Sequence, residues 1–210
     1  MSNATRRLDL DDTPLMTVAD FLDWQGGTHG IIYELVDGVI RAQDVPSATH
    51  GSVHANVTTA IVNHLRKHRP GCRLIITPGI RPHLNANWNH RIPEMAVTCT
   101  PSKADVRDIE NPTLIVEILS PSNRADTWSN VPLYATLPSV LEIVLIESTR
   151  VGAQVLRRGA NGVWPENPAQ IDAVAGIGLD SVGLVMPTVE IYRDTHLEAD
   201  AREAARSDGV

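Results

Sequence analysis

Hydrophobic positions along the chain change their period several times, and each change marks an element. Between residues 47 and about 68 the apolar spacing is helical, with Val53, Val57, Ala60, Ile61, His64 and Leu65 on one stripe and Pro70-Gly71 after it. This predicts the main core helix. His50 and His54 lie one turn apart in its first half, and His50 falls near the middle of the apolar face, so it is expected to point inward. Upstream, Thr17-Val18-Ala19-Asp20 has the form of a capping box, and Val18, Phe21, Leu22 and Trp24 suit a short amphipathic helix ended by Gly26-Gly27. Residues 31–40 predict a hairpin, because two β-rich runs meet at Asp37-Gly38, a two-residue turn signal. That turn sets Val36 across from Val39, Leu35 from Ile40 and Glu34 from Arg41.

Further on, the period becomes strand-like. Residues 74–80 and 92–99 predict two strands joined by a polar excursion, 81–91, which is a candidate substrate-contacting loop. Residues 114–119 predict a central strand, and Ser120-Pro121-Ser122-Asn123 turns the chain after it. A helix is expected over 126–136, limited or displaced by Pro132. Another apolar strand follows at 141–146, with 154–157 beside it, a loop-like tract over 159–178, and a strand or turn with a docking segment over 179–192. Strands mixed with one long helix and a few short ones predict an α/β or α+β domain with a mixed sheet covered by helices. The domain is expected over 16–193, between a flexible tail at 1–15 and a solvated tail at 194–210 that has helix formers but no apolar stripe.

Composition narrows this only a little. At 210 residues and 42% hydrophobic, the chain can bury one sizeable core. A formal charge of -7 and a pI near 5.6 argue against a basic coat for non-specific nucleic-acid binding, while local basic patches stay open. Cys72 and Cys99 lack a short metal-ligand spacing, so two free thiols in a reduced, cytoplasmic setting are expected. No apolar run approaches the roughly 18 residues of a membrane span, and residues 1–16 lack the apolar stretch of a signal peptide.

The chemistry lies in two carboxylates set in strand-like surroundings: Glu94 in Ile92-Pro93-Glu94-Met95-Ala96-Val97, and Glu117 in Leu114-Ile115-Val116-Glu117-Ile118-Leu119-Ser120. A buried carboxylate needs a cation side chain, a proton or a metal ion. If the strands pair, Glu94 and Glu117 converge on one point, an arrangement that suits Mg²⁺ or Mn²⁺. Internal ion pairing of each acid satisfies the same pattern. His50 either orients a ligand, contacts phosphate or serves as a hydrogen-bonded core residue, and Arg157-Arg158 is either solvated surface or a phosphate contact.

The string Tyr33-Glu34-Leu35-Val36-Asp37-Gly38, an inward His on a long helix, Pro93-Glu94-Met95-Ala96-Val97, the run from Leu114 to Ser122, and Asp126 with Tyr134 eight residues later resemble the Uma-type putative restriction endonuclease family of the PD-(D/E)XK nuclease superfamily. The likeness runs from about residue 16 to about 192. It implies a restriction-endonuclease-like mixed sheet flanked by helices, a Mg²⁺ or Mn²⁺ site with Glu94 and Glu117 as ligands and the Ile118 carbonyl as a third, DNA as substrate, and a homodimer. Glu34 is the acidic position of the family's Tyr-Glu-Leu string, although a cross-strand pair with Arg41 accounts for it equally well.

Two positions depart from the family's pattern. Glu94 stands where Asp is usual, which keeps the charge and adds a methylene. Asn130 stands where the resemblance places a lysine, and an amide supplies no positive charge to polarise water or offset a phosphorane. Arg124 is the candidate substitute. The implied activity is metal-dependent hydrolysis of DNA phosphodiester bonds, weakened at Asn130, and the alternative is a catalytically impaired scaffold that binds nucleic acid or protein.

Overall fold

A computed structural model describes residues 14–101, 104, 107–171 and 176–206. Most of the expected N-terminal tail, residues 1–13, and the last four residues of the expected C-terminal tail lie outside the described residues.

The chain opens with α1 (Val18–Asp23), capped by Thr17 and Asp20 in the reciprocal box that the sequence predicts. A hairpin of β1 (Tyr33–Val36) and β2 (Val39–Ala42) follows, in the predicted register. Its turn places Asp37 at φ 48° and Gly38 at φ 84°, the two left-handed positions that an Asp-Gly turn supplies at least cost. The long helix α2 (Ala48–His68) starts at Ser47, whose side chain accepts from the His50 amide. It buries His50, Val53, Val57, Ile61 and Leu65, so the helical stripe and the inward histidine are both present.

Among the described residues one six-stranded sheet forms the centre, in the order β3 (Arg73–Ile76), β4 (Met95–Thr98), β5 (Pro112–Leu119), β6 (Glu142–Glu147), β7 (Ala153–Arg157), β8 (Ala169–Ile171). Every neighbouring pair is antiparallel except β5 with β6, whose parallel link is made by α3 (Arg124–Ala135). Parallel neighbours need such a crossover. Pro132 lies within α3 without ending it, because Val131, Leu133 and Tyr134 bury the last turn against the sheet.

The alternation along β5 separates two cores. Leu114, Val116 and Ile118 pack with α2, while Ile115 and Leu119 pack with Val131 and Tyr134 of α3. Glu117 falls in the second set by parity. The hairpin of β9 (Ile177–Leu179) and β10 (Leu184–Met186), with α4 (Thr188–Ile191) behind it, completes the α2 layer. The loop-like tract therefore hides an edge strand at β8, whose three residues carry too little alternation to announce themselves.

Two sequence expectations need correction. Residues 198–204 form α5 (Glu198–Ala204), and Leu197 and Ala201 dock into the α2 core where a solvated tail was expected. One alanine and one leucine anchor it, too few to register as a stripe. Cys72 and Cys99 form a disulfide where two free thiols were expected. The β3–β4 register sets Arg73 opposite Thr98, so the next step outward places Cys72 beside Cys99 despite a sequence separation of 27. The polar excursion ends in three buried residues, Asn89, His90 and Arg91, and His90 bridges Leu35 of the hairpin. No helix among the described residues is long and apolar enough to cross a membrane.

Candidate active site

Register brings the two acidic strands together. Met95, the first residue of β4, pairs with Val116, so Glu94, in the bend just before β4, lies beside Glu117 near the end of β5. The Glu94 amide reaches Oε2 of Glu117 at 3.4 Å, at the limit of a hydrogen bond. Glu117 is only 5% exposed, and its Oε1 accepts a 2.8 Å bond from the Tyr134 hydroxyl. Burial pushes its carboxyl up to about 8, Glu94 and Glu34 add to that, and the Tyr134 bond works against it.

Glu94 turns the other way. His50 Nε2 lies 3.0 Å from its Oε1, and His54 Nε2 lies 3.8 Å from its Oε2. The two histidines one turn apart thus converge on a carboxylate from the start of the core helix. His50 is thus a core residue whose ring nitrogen meets the Glu94 carboxylate.

Glu34 is buried beside this pair, and burial pushes its carboxyl up against the opposing pull of Arg91 and the Ile92 amide. Its expected partner Arg41 sits opposite it in register but pairs with Asp126 of α3 at 3.1 Å. Among the described residues Glu34 Oε2 has no hydrogen-bond partner, and neither has Oδ1 of buried Asn130, which stands one turn before Tyr134 on the same face of α3. Arg91, held by Asn89 at 2.8 Å, is the buried cation of the cluster. Sequence reasoning missed Arg91 and the Tyr134 contact. A charged residue three before Glu94, inside an otherwise polar loop, gave no sign of burial.

Two further buried acids show what makes Glu117 different. Glu142 accepts from Arg157 at 2.8 Å and from Ser181 Oγ at 2.8 Å, and Glu147 is gripped by Arg124 and Arg150. Burial pushes the Glu147 carboxyl up, but the two arginines outweigh it and hold it below the usual carboxylate range. Both acids have guanidinium partners, whereas Glu117 has a phenol and a nearby amide. Arg124 is therefore occupied at the end of β6 and does not stand in for the lysine at Asn130. Arg157 and Arg158 are likewise structural: Arg158 donates to the carbonyls of Ala135, Val140 and Leu137 and stacks on Trp164 at 4.8 Å.

No group of three or more His, Cys, Asp or Glu side chains that could hold a metal ion is present among the described residues. Magnesium and manganese ask for less, since one or two carboxylates, waters and substrate oxygens complete their shell. The donor set here is hard oxygen, from Glu94, Glu117 and the Ile118 carbonyl, although that carbonyl already accepts from Asn123 Nδ2 at 3.1 Å. Glu34, whose charge acts on Glu117, adds an oxygen, Oε2, that has no hydrogen-bond partner among the described residues. These residues fit a hard divalent cation.

The profile of the Uma2 family, described as putative restriction endonuclease, matches residues 18–179. Among solved structures, a putative nuclease belonging to DUF820 from Anabaena variabilis has the same fold, with a TM-score of 0.66 at 16% sequence identity over 84% of this chain and 97% of that one. No curated protein matches in sequence.

Proposed function

Because the chain belongs to the Uma2 putative restriction endonuclease family, we propose that it is a divalent-metal-dependent nuclease that hydrolyses phosphodiester bonds of DNA at the Glu94–Glu117 site. The carrying observation is Glu117: a buried carboxylate without a guanidinium partner, pushed up to about 8 by burial and by two neighbouring acids, is a place where a cation is favoured. Glu94, Glu117 and the Ile118 carbonyl would hold Mg²⁺ or Mn²⁺, which when bound supplies an activated water and positive charge for the phosphoryl centre.

The chain's own residues do the rest. His50 fixes the Glu94 carboxylate from α2, and Tyr134 fixes one oxygen of Glu117 from α3. Tyr134 is thereby a positioning residue. Arg91 offsets the charge of Glu34, so that three acids can share one buried region. Asn130 offers an amide where a cation would speed the reaction, and Lys67 stands at the far end of α2. The same reading includes a homodimer, in which two sites address the two strands of a duplex.

One observation favours a second reading, a nucleic-acid-binding scaffold of low activity: Asn130 is uncharged and Arg124 is committed to Glu147. Calorimetric titration with Mn²⁺ tests the metal site common to the first reading. Heat of binding that Glu117→Ala abolishes supports it, and a protein indifferent to millimolar Mn²⁺ overturns it.

A further inference from the structure

The end of the sheet that carries Glu94 and Glu117 also carries an arginine pair that the proposed chemistry does not use. Leu119 of β5 is level with Glu147 of β6, so Glu147 lies one strand over and two residues further out than Glu117. Strand spacing and rise put that at roughly 8 Å. Glu147 is buried, and it holds two guanidinium groups: Arg124 at the first residue of α3, through both terminal nitrogens, and Arg150 in the turn between β6 and β7, at 3.0 Å. Among the described residues the buried carboxylate accepts from these two arginines and serves both at once.

Charge and exposure make this more than a structural ion pair. Two cations on one anion leave a net positive charge, and their side chains are 39% and 62% exposed. Arg124 commits two of its five N–H donors to Glu147 and Arg150 at least one, which leaves donors turned to solvent in a fixed fork. A guanidinium already oriented by a carboxylate loses less rotamer freedom when it meets an anion. A chain acidic overall, at formal charge -7, concentrates positive charge here beside its acidic site.

We infer that Arg124 and Arg150, held on Glu147, form a clamp for a backbone phosphate of the bound DNA strand, one to a few nucleotides from the phosphate that meets Glu94 and Glu117. This rests on the nuclease reading and adds the path of the strand: it crosses the outer ends of β4, β5 and β6 in that order. Successive charges along one DNA strand are about 3.4 Å apart in axial rise, so the span between acids and arginines covers a few of them.

Salt-dependent binding tests the clamp. Anisotropy of a fluorescein-labelled DNA duplex is measured in the presence of Ca²⁺ over a range of salt for the native chain, Arg124→Gln, Arg150→Gln and Arg66→Gln. Arg66 lies in the last turn of α2, at the opposite end of the sheet. Each lost phosphate contact should reduce the slope of log K against log salt by about 0.9. The clamp predicts that loss for Arg124→Gln and Arg150→Gln and an unchanged slope for Arg66→Gln. Should Arg124→Gln fail to fold, exposed Arg150 decides alone. Native binding with the same slope in Arg150→Gln overturns the clamp and leaves the nuclease reading standing, whereas absence of salt-sensitive DNA binding by the native chain overturns the DNA reading itself.

Discussion

The Tyr134 hydroxyl on α3 meets Oε1 of Glu117 on β5 at 2.8 Å, the one bond from another side chain that the buried acid receives among the described residues. Tyr134→Phe removes a donor without opening a cavity. Leaving a buried acceptor unsatisfied costs about 1–3 kcal/mol, so urea unfolding of the metal-free protein should show that loss. The Glu117 carboxyl should move further up, because the Tyr134 bond opposes the effect of burial. If Tyr134 only filled space, the phenylalanine variant would match the native chain in both stability and pH response.

The acid also makes stability depend on pH. Glu117 has a folded pKa of about 8 against an ordinary 4.5, so between those values the native state binds a proton that the unfolded chain has released. Stability is then greatest below about pH 4.5, as far as this group is concerned, and falls as pH rises toward 8. At about 1.4 kcal/mol per pKa unit the effect amounts to several kcal/mol. Thermal melts of the metal-free protein should show it, and Glu117→Gln should flatten the profile across that window. A native profile parallel to that of the glutamine variant would contradict it.

Much of this was legible in the sequence, for stated reasons. The capping box at Thr17, the Asp37-Gly38 turn and the α2 stripe are local signals, and each forms as its spacing dictates. Glu94 and Glu117 announced themselves as charges in apolar runs, and the antiparallel pairing of β4 with β5 then brought them side by side. What failed was the choice of partner by charged side chains far apart in the chain. Arg124 could have reached the acids by sequence distance, yet Glu147, 23 residues on, captured it. Arg41 sits across from Glu34 and bonds Asp126, 85 residues away. Neither choice leaves a trace in spacing.

Asn130 is the position where a single change should add function. Asn130→Lys would bring an ammonium to the buried face of α3, one turn before the tyrosine that bonds Glu117. Gain of one such charge is worth on the order of 10² to 10³ in rate. Plasmid nicking in Mn²⁺ by the two proteins measures it. Cleavage by the lysine variant alone would establish the native chain as a binding scaffold, and equal rates would show that Asn130 is not at the lysine's place in the chemistry.

The Cys72–Cys99 bridge ties β3 to β4 at the end of the sheet remote from Glu94. Closing a loop of 27 residues is worth about 3 to 4 kcal/mol by loop entropy. Reduction, or Cys72→Ser with Cys99→Ser, should lower unfolding stability by that amount and leave Mn²⁺ affinity unchanged. Loss of metal binding on reduction would mean that the two ends of β4 are coupled.

The hairpin that carries Glu34 and Arg41 is not part of the central sheet. Val18, Phe21 and Leu35 give it a small core of its own with α1, and its backbone bonds run to residues 87–90, as in Val18 to Asn87, Gly38 to Trp88 and Leu35 to His90. Its link to α3 is the exposed Arg41–Asp126 pair, a contact worth little in water. Such a unit can breathe separately from the six-stranded sheet. Opening of this unit would leave the acids at the ends of β4 and β5 in place, and easier access of a phosphate to Glu117, now 5% exposed, is the expected consequence. Hydrogen exchange would show this as amides of β1 and β2 opening well before those of β5.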